Sequence, residues 1–178
     1  MPIASSHYSL DIPSAWVVQW AERVPAGGAI LDVACGSGRH ARFFAARGHP
    51  VDAVDRDAAV IAALAAVPGV DARCADIEGG TWPYAGRQFA AVVVTNYLHR
   101  PLFPALIAAI APGGLLIYET FAEGNEAYGR PANPEFLLRR GELLERVGMM
   151  QILGFEDLTI DSPKPAVVQR ICAAMPEP

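Results

Sequence analysis

Residues 30–57, ILDVACGSGRHARFFAARGHPVDAVDRD, constrain the fold of this chain more than any other stretch. An apolar run carrying Asp32 stops at a glycine-containing loop, a segment with helical spacing follows, and a second apolar run stops at Asp55. A buried strand, a glycine turn, a helix and a second strand ending in an acid form a unit that holds nucleosides. The stretch therefore predicts an α/β protein with a nucleoside site beside its first strand.

The rest of the chain continues the alternation of strands and helices. Helices are predicted at 14–24, after Gly38, after a cap at Asp57, at 102–111 and at 142–147. Strands are predicted at 29–34, 51–55, 70–76, 89–95, 114–120, 150–160 and 166–174. Only a turn separates the last two strands, so they must be antiparallel. The pattern predicts a seven-stranded, mostly parallel sheet with a C-terminal antiparallel hairpin and helices on both faces.

Length and composition favour one compact domain. The chain has 178 residues, 52% of them hydrophobic, so residues 1–178 suit a single domain with a helical lead-in at 1–28. The loop at 121–134 is long for a compact domain and contains glycines and prolines, so we expect either a functional lid or a rigid connection to the last helix.

Charge and cysteine content limit the kinds of partner and the cell compartment that are expected for this chain. The formal net charge is −5, with acids and bases interspersed, so no broad basic surface for a nucleic acid is expected. Three cysteines without paired spacing and the absence of a signal-peptide pattern predict a cytoplasmic chain. Residues 101–118 are uncharged, but Pro112, Gly113 and Gly114 interrupt them, which argues against a membrane span. We expect a monomer or homodimer that acts on a small molecule.

The glycine loop leaves several nucleosides possible. Gly36, Gly38 and Ala41 satisfy the dinucleotide pattern, so NAD stays open. Asp32 lies four residues before the first glycine, where it suits an ammonium group better than a pyrophosphate. No lysine follows the glycines, which excludes a triphosphate-binding P-loop. An adenosine that carries an amino acid fits best.

At this point the motifs resemble a known family. LDVACGSG, VDAVDRD and ADIE occur in order before the late hairpin, as in class I S-adenosylmethionine-dependent methyltransferases. Within that class the chain is most similar to the compact tellurite-resistance-protein-like methyltransferases. The resemblance implies a Rossmann-like methyltransferase fold, S-adenosylmethionine as cofactor with S-adenosylhomocysteine as product, no metal, and methyl transfer to a small acceptor such as a thiol, a metalloid or a small acid.

The resemblance also implies cofactor contacts near the strand ends. Asp32 would hold the ammonium group, Asp55 the ribose hydroxyls and Asp76 the adenine amino group. The other implied contacts lie in the same loops and strand ends: Cys35, Gly36, Gly38, Arg39, Arg56, Ile77 and Asn96. Purely structural alternatives remain: Asp55 as a strand end, Asp76 as a turn acid, Cys35 as a loop filler, and solvent-facing roles for Arg39 and His40.

Acceptor residues are expected after the fourth and fifth strands. Tyr97, His99 and Arg100 are candidates for orienting or deprotonating an acceptor, although His99 also suits a helix cap. Glu119 either faces the pocket or is only a polar strand end. Alternatives to a small-molecule enzyme are an RNA or protein methyltransferase, a non-catalytic S-adenosylmethionine-binding protein and, more remotely, a NAD-dependent enzyme.

Overall fold

The computed structural model describes residues 12–177, so the beginning of the predicted 1–28 lead-in lies outside the described residues. The five α-helices of this part are α1 Ala15–Ala21, α2 Arg39–Ala45, α3 Ala58–Leu64, α4 Phe103–Ala108 and α5 Glu142–Val147. Its seven strands are β1 Ile30–Val33, β2 Val51–Asp55, β3 Val70–Cys74, β4 Phe89–Thr95, β5 Ile110–Phe121, β6 Gln151–Ile160 and β7 Ala166–Ala174.

All seven strands form one sheet in the order β3-β2-β1-β4-β5-β7-β6. Neighbours from β3 to β5 are parallel, whereas β7 runs antiparallel to both β5 and β6. The predicted mostly parallel sheet with a C-terminal antiparallel hairpin is confirmed. The chain order reverses between β1 and β4, and ligands of open α/β sheets bind at the carboxyl ends of strands at such a switch point.

The sheet is buried on both faces. Along β4, Val92 and Val94 belong to the core on one face, while Ala91 and Val93 belong to the core on the other. All four side chains are fully buried, because helices and loops cover each face. The absence of a polar face on residues 89–95 is thereby explained.

The chain between β4 and β5 differs from the prediction. The helix expected at 102–111 ends at Ala108, and Ile110 already pairs with Phe89, so β5 begins before Gly114. Backbone bonds with Met175 hold the glycine pair in place: the Gly113 N–H donates to the Met175 carbonyl, and the Met175 N–H donates to Gly114. Pairing with distant residues overrode the local helical pattern. No helix within residues 12–177 is long and apolar enough to cross a membrane.

The first helix packs against the sheet through two tryptophans. Ser14 caps α1, because its hydroxyl accepts a hydrogen bond from the Trp16 N–H. Trp16 and Trp20 are buried, and their rings meet edge to face at 5.6 Å. The Trp16 indole N–H also donates to the Ile171 carbonyl of β7 at 3.2 Å. These two tryptophans anchor α1 to the core.

Candidate functional site

A cavity of about 350 Å³ opens at the carboxyl ends of β1 to β5. Two of its lining residues, Ala34 and Asn96, have positive φ angles of 52° and 54°. Such angles are uncommon outside glycine and concentrate at functional sites, where the surrounding structure holds them. Both residues directly follow the strands at the switch point. The full lining is Ala34, Asp55, Arg56, Ala75, Asp76, Ile77, Glu78, Asn96, Tyr97, Leu98, Thr120, Phe121, Pro131 and Phe136.

The two glycines of the loop after β1 do different things. A side chain at Gly36 would meet no described residue within 4 Å, so within this part of the chain the backbone there borders open space. A side chain at Gly38 would collide with Leu64 of α3, and φ is 76° at this residue. Gly38 therefore serves the packing of α2 against α3, while Gly36 leaves room for a ligand.

Asp55 joins the glycine loop to the end of β2. Its Oδ2 accepts a hydrogen bond from the Gly36 N–H at 2.9 Å, and its Oδ1 accepts one from the Asp57 N–H at 3.0 Å. Asp57 in turn caps α3 by accepting from the Ala59 and Val60 N–H groups. The cap predicted at Asp57 is confirmed, and Asp55 lines the cavity besides ending its strand.

Asp32 lies within β1 and is buried, with only 1% of the residue exposed. Its Oδ2 has no hydrogen-bond partner among residues 12–177. Burial raises the pKa of Asp32 to about 8, against the lowering effects of the Ala41 N–H and the Arg39 charge. A buried acid with an unpaired oxygen costs free energy, so this position is prepared for a further donor or cation.

Asp76 follows β3 and combines a turn with the cavity wall. Its Oδ1 accepts from the N–H groups of Glu78 and Gly79 at 3.0 and 3.1 Å. These two backbone donors lower the pKa of the exposed Asp76 carboxyl, and the Gly79 N–H has the larger effect. The structural role that the sequence left open for Asp76 is present, and the residue also lines the cavity beside Ile77 and Arg56.

The remaining loop residues lie on either side of the glycines. Cys35 is buried, and burial raises the pKa of its thiol, so the thiol is not activated as a nucleophile. Arg39 donates to the Ile12 carbonyl at 3.1 Å. The solvent-facing alternative is wrong for His40, which is 1% exposed and accepts from the Ser14 N–H at Nε2. Burial lowers the pKa of His40 to about 3, so its ring is neutral.

The three candidates after β4 are not brought together as a set. Tyr97 lines the cavity, and burial, followed by the nearby Glu78 carboxylate, raises the pKa of its hydroxyl. His99 lies outside the lining, with Nδ1 4.0 Å from the Glu78 carboxylate, and its side chain makes no helix cap. Arg100 also lies outside the lining.

The Arg100 side chain is held by Glu142. Arg100 donates through Nε and Nη2 to both oxygens of the fully buried Glu142, at 2.8 and 2.9 Å. The same guanidinium donates to the carbonyls of Glu135 and Leu137, each at 2.8 Å. Arg100 therefore fastens the segment around Phe136 to α5. The sequence offered no signal for Glu142, because an acid in the first turn of a short helix usually faces solvent.

A second polar network escaped the sequence analysis as well. Glu119 of β5 accepts from the Ser14 hydroxyl at 2.7 Å and from Arg170 of β7 at 3.1 Å. Arg170 also pairs with Glu156 of β6 and lies over the Trp16 ring. The network joins the start of α1 to three strands. It connects Glu119 to partners more than fifty residues away, which no local pattern reveals.

The loop after β5 folds back along the cavity. Ala122 bridges to Leu138, and the Asn125 side chain is buried, donating to the Pro131 carbonyl and accepting from the Val167 N–H. Phe121, Pro131 and Phe136 reach the lining. The loop predicted at 121–134 thus forms part of the cavity wall. Among residues 12–177, no three or more His, Cys, Asp or Glu side chains are grouped to hold a metal.

Comparisons with known proteins agree with this geometry. Residues 30–114 match the family described as a methyltransferase domain. No curated protein sequence matches the chain. The matched stretch contains the glycine loop, Asp32, Asp55, Asp76 and Asn96.

Similar solved structures share the fold at low sequence identity. TehB from Haemophilus influenzae has a TM-score of 0.75 and 18% identity over 92% of this chain, which spans 62% of that protein. The [4+2]-cyclase SpnF has a TM-score of 0.72 and 17% identity, over 91% of this chain and 80% of that one. The glycopeptide N-methyltransferase MtfA, complexed with S-adenosylhomocysteine, has a TM-score of 0.63 and 18% identity, over 90% and 88%.

Proposed function

We propose that this chain is an S-adenosylmethionine-dependent methyltransferase and that it methylates a small molecule held in the cavity at the carboxyl ends of β1 to β5. The observation that carries the proposal is the cavity itself. Its volume of about 350 Å³ is within the range of small-molecule sites, and its lining extends past the residues assigned below to the cofactor, to Thr120, Phe121 and Phe136. The folded loop after β5 forms one of its walls, so it is a defined recess rather than a flat docking surface.

The residues around the cavity fit the cofactor. We assign the ribose hydroxyls to Asp55. Its Oδ2 accepts a hydrogen bond from the Gly36 N–H, where the backbone borders open space. The unpaired oxygen of Asp32 is assigned to the ammonium group, directly or through water. Arg56, Asp76 and Ile77 would surround the adenine, as lining residues at the ends of β2 and β3.

Other predicted contacts have supporting roles in this proposal. Asn96 would form the floor of the site, and Arg39 would lie near the carboxylate end of the cofactor. Gly38 and Cys35 would shape the loop rather than donate to the ligand. Gly38 packs on Leu64, and Cys35 is buried. This restricts direct cofactor recognition to Asp32, Arg39, the strand-end residues and the backbone at Gly36.

Methyl transfer requires little further machinery. Bound S-adenosylmethionine supplies an electrophilic methyl group. The chain would align the acceptor against it and exclude water, using Tyr97, Thr120 and the loop after β5. We propose His99 as a proton acceptor, since its Nδ1 lies 4.0 Å from the carboxylate of Glu78, which lines the cavity. Arg100 is proposed as a positioning residue, because its donors already bind Glu142 and the loop.

Calorimetric titration tests the cofactor site first. Purified protein should bind S-adenosylhomocysteine with micromolar affinity and should not bind NAD or ATP under the same conditions. Turnover is then measured as S-adenosylhomocysteine released from S-adenosylmethionine in the presence of thiols, metalloids, small acids and RNA. Binding without turnover on any acceptor would favour the non-catalytic alternative, and the cyclase SpnF shows that this fold hosts another activity. A preference for RNA or a protein acceptor would contradict the small-molecule proposal.

A further inference from the structure

The cavity has two walls of different chemistry. At the ends of β2 and β3 it is lined by the charged residues Asp55, Arg56, Asp76 and Glu78. The lining residues that follow Asn96 along the chain are uncharged: Tyr97, Leu98, Thr120, Phe121, Pro131 and Phe136. The charged wall is the one assigned to the nucleoside above. The second wall remains for the acceptor.

The second wall lacks the groups that hold anions. Arg56 is the one arginine or lysine among the described lining residues, and it belongs to the nucleoside side. Arg100 is close in sequence, but its guanidinium is occupied by Glu142 and two backbone carbonyls. An anion placed against uncharged walls loses its hydration without gaining a partner. A bound carboxylate or inorganic oxyanion would also face the acid Glu78.

The aromatic part of this wall is held in place. Phe136 is 52% exposed, yet Arg100 binds the carbonyls of the residues on either side of it, Glu135 and Leu137. Glu142 fixes Arg100 in turn. A partly exposed ring whose backbone is fastened on both sides offers a preformed apolar contact at little cost in conformational entropy. Its exposure is available for a ligand that enters the cavity.

We infer that the acceptor is an uncharged, ring-bearing or otherwise apolar small molecule that packs against Tyr97, Phe121 and Phe136, rather than an inorganic oxyanion or a small carboxylate. This inference rests on the proposed function and names the substrate class of that site. Of the acceptors expected from the sequence, it disfavours metalloid oxyanions and small acids.

The test uses two probes that share a ring and differ in charge. Ligand-observed NMR measures the binding of 2-phenylethanol and of phenylacetate to the full chain saturated with S-adenosylhomocysteine. We expect 2-phenylethanol to bind about tenfold more tightly, since the carboxylate must be desolvated without a cation. Phe136→Ala should weaken the binding of 2-phenylethanol about fivefold, because the aromatic contact is lost. Tyr128→Ala is the matched control, because Tyr128 is 51% exposed on the same loop but does not line the cavity.

Each contrary result has a defined meaning. Equal or tighter binding of phenylacetate, no binding of 2-phenylethanol, or equal losses in Phe136→Ala and Tyr128→Ala would overturn the inference. Methylation of tellurite or selenite by the wild-type enzyme would also overturn it. Calorimetry with S-adenosylhomocysteine on each sample separates the two proposals: failure of that binding rejects the cofactor site, whereas intact binding with any of the contrary results rejects only the acceptor class.

Discussion

At the scale of single residues, Asp32 is the most informative side chain. It is an acid in the centre of a sheet, and burial raises its pKa to about 8, so it is largely protonated at neutral pH before a ligand binds. A cofactor ammonium group would favour the ionised form. Binding would then be linked to release of a proton from Asp32.

This linkage predicts a pH dependence of cofactor affinity. Because the pKa of free Asp32 lies near 8 and would fall on binding, S-adenosylhomocysteine should bind about tenfold more tightly at pH 8 than at pH 6.5. Calorimetry in buffers of different ionisation enthalpy should detect proton release at the lower pH. Asp32→Asn, which cannot ionise, should show a flatter profile, and an equally steep profile in this variant would assign the linkage to another group.

Asp55 gives a second prediction at this scale. Asp55→Ala should weaken S-adenosylhomocysteine binding by about 1.5–3 kcal/mol, the range for hydrogen bonds to a charged group. Asp71→Ala is the control, since Asp71 lies exposed on the neighbouring edge strand β3 and does not line the cavity. Calorimetry measures both. Unchanged affinity in a folded Asp55→Ala variant would remove Asp55 from the site.

The same residues explain what local sequence could predict of the site. Asp55, Asp76 and Asn96 end strands, and strand ends can be located from apolar runs, so their approach to one cavity follows from parallel pairing. Glu142 and His40 are different. Each is buried by contacts with residues distant in the chain, 42 residues from Glu142 to Arg100 and 26 from His40 to Ser14, which a sequence pattern does not record.

At the scale of elements, α5 depends on Glu142. Burial by itself raises the pKa of this acid, but hydrogen bonds from Arg100, the Arg139 N–H and Arg146 lower it to about 2. The carboxylate therefore joins the start of α5 to the segment after β4 and to the loop around Phe136. The buried side chains of Leu143 and Val147, and the hydrogen bond from the Leu143 N–H to Gln169, hold the same helix against the core.

Removal of this charge should destabilise the fold. We expect Glu142→Gln to lower the free energy of unfolding by about 2–3 kcal/mol at pH 7. This is less than the loss expected on breaking a fully buried ion pair, because Arg100 and Arg146 are partly exposed. Glu145→Gln, which alters the exposed pair with Arg139 in the same helix, should cost under about 0.5 kcal/mol. Urea unfolding monitored by circular dichroism measures both. Similar losses in the two variants would contradict the role of Glu142.

Acid pH should remove the same contribution. The folded pKa of Glu142 lies near 2, below its ordinary value of 4.5, so its stabilisation is present above pH 4.5 and is lost as pH falls toward 2. The difference in unfolding free energy between wild type and Glu142→Gln should therefore shrink over this window. A difference that stays constant would mean that the Glu142 charge does not contribute.

At the scale of the whole molecule, the cofactor should stabilise the complete fold. The assigned contacts come from the ends of β1, β2, β3 and β4, so a ligand held by them joins most of the parallel sheet. At a concentration one hundred times its dissociation constant, S-adenosylhomocysteine should add about 2.7 kcal/mol and raise Tm by roughly 5–11 °C. Calorimetric or fluorescence melting tests this, with NAD as the negative control. No shift at saturation would show that the ligand does not prefer the folded chain.

The amino-acid sequence by itself determined the alternation of strands and helices, the antiparallel last pair, the glycine loop and the acids at the strand ends. These features depend on local periodicity and turn chemistry, which neighbouring residues carry. Only the tertiary structure decided that β5 begins at Ile110, that Arg100 binds Glu142, and that Phe136 reaches the cavity. Each of these depends on pairing, burial or charge between residues far apart in the chain, where long-range contacts override local preference.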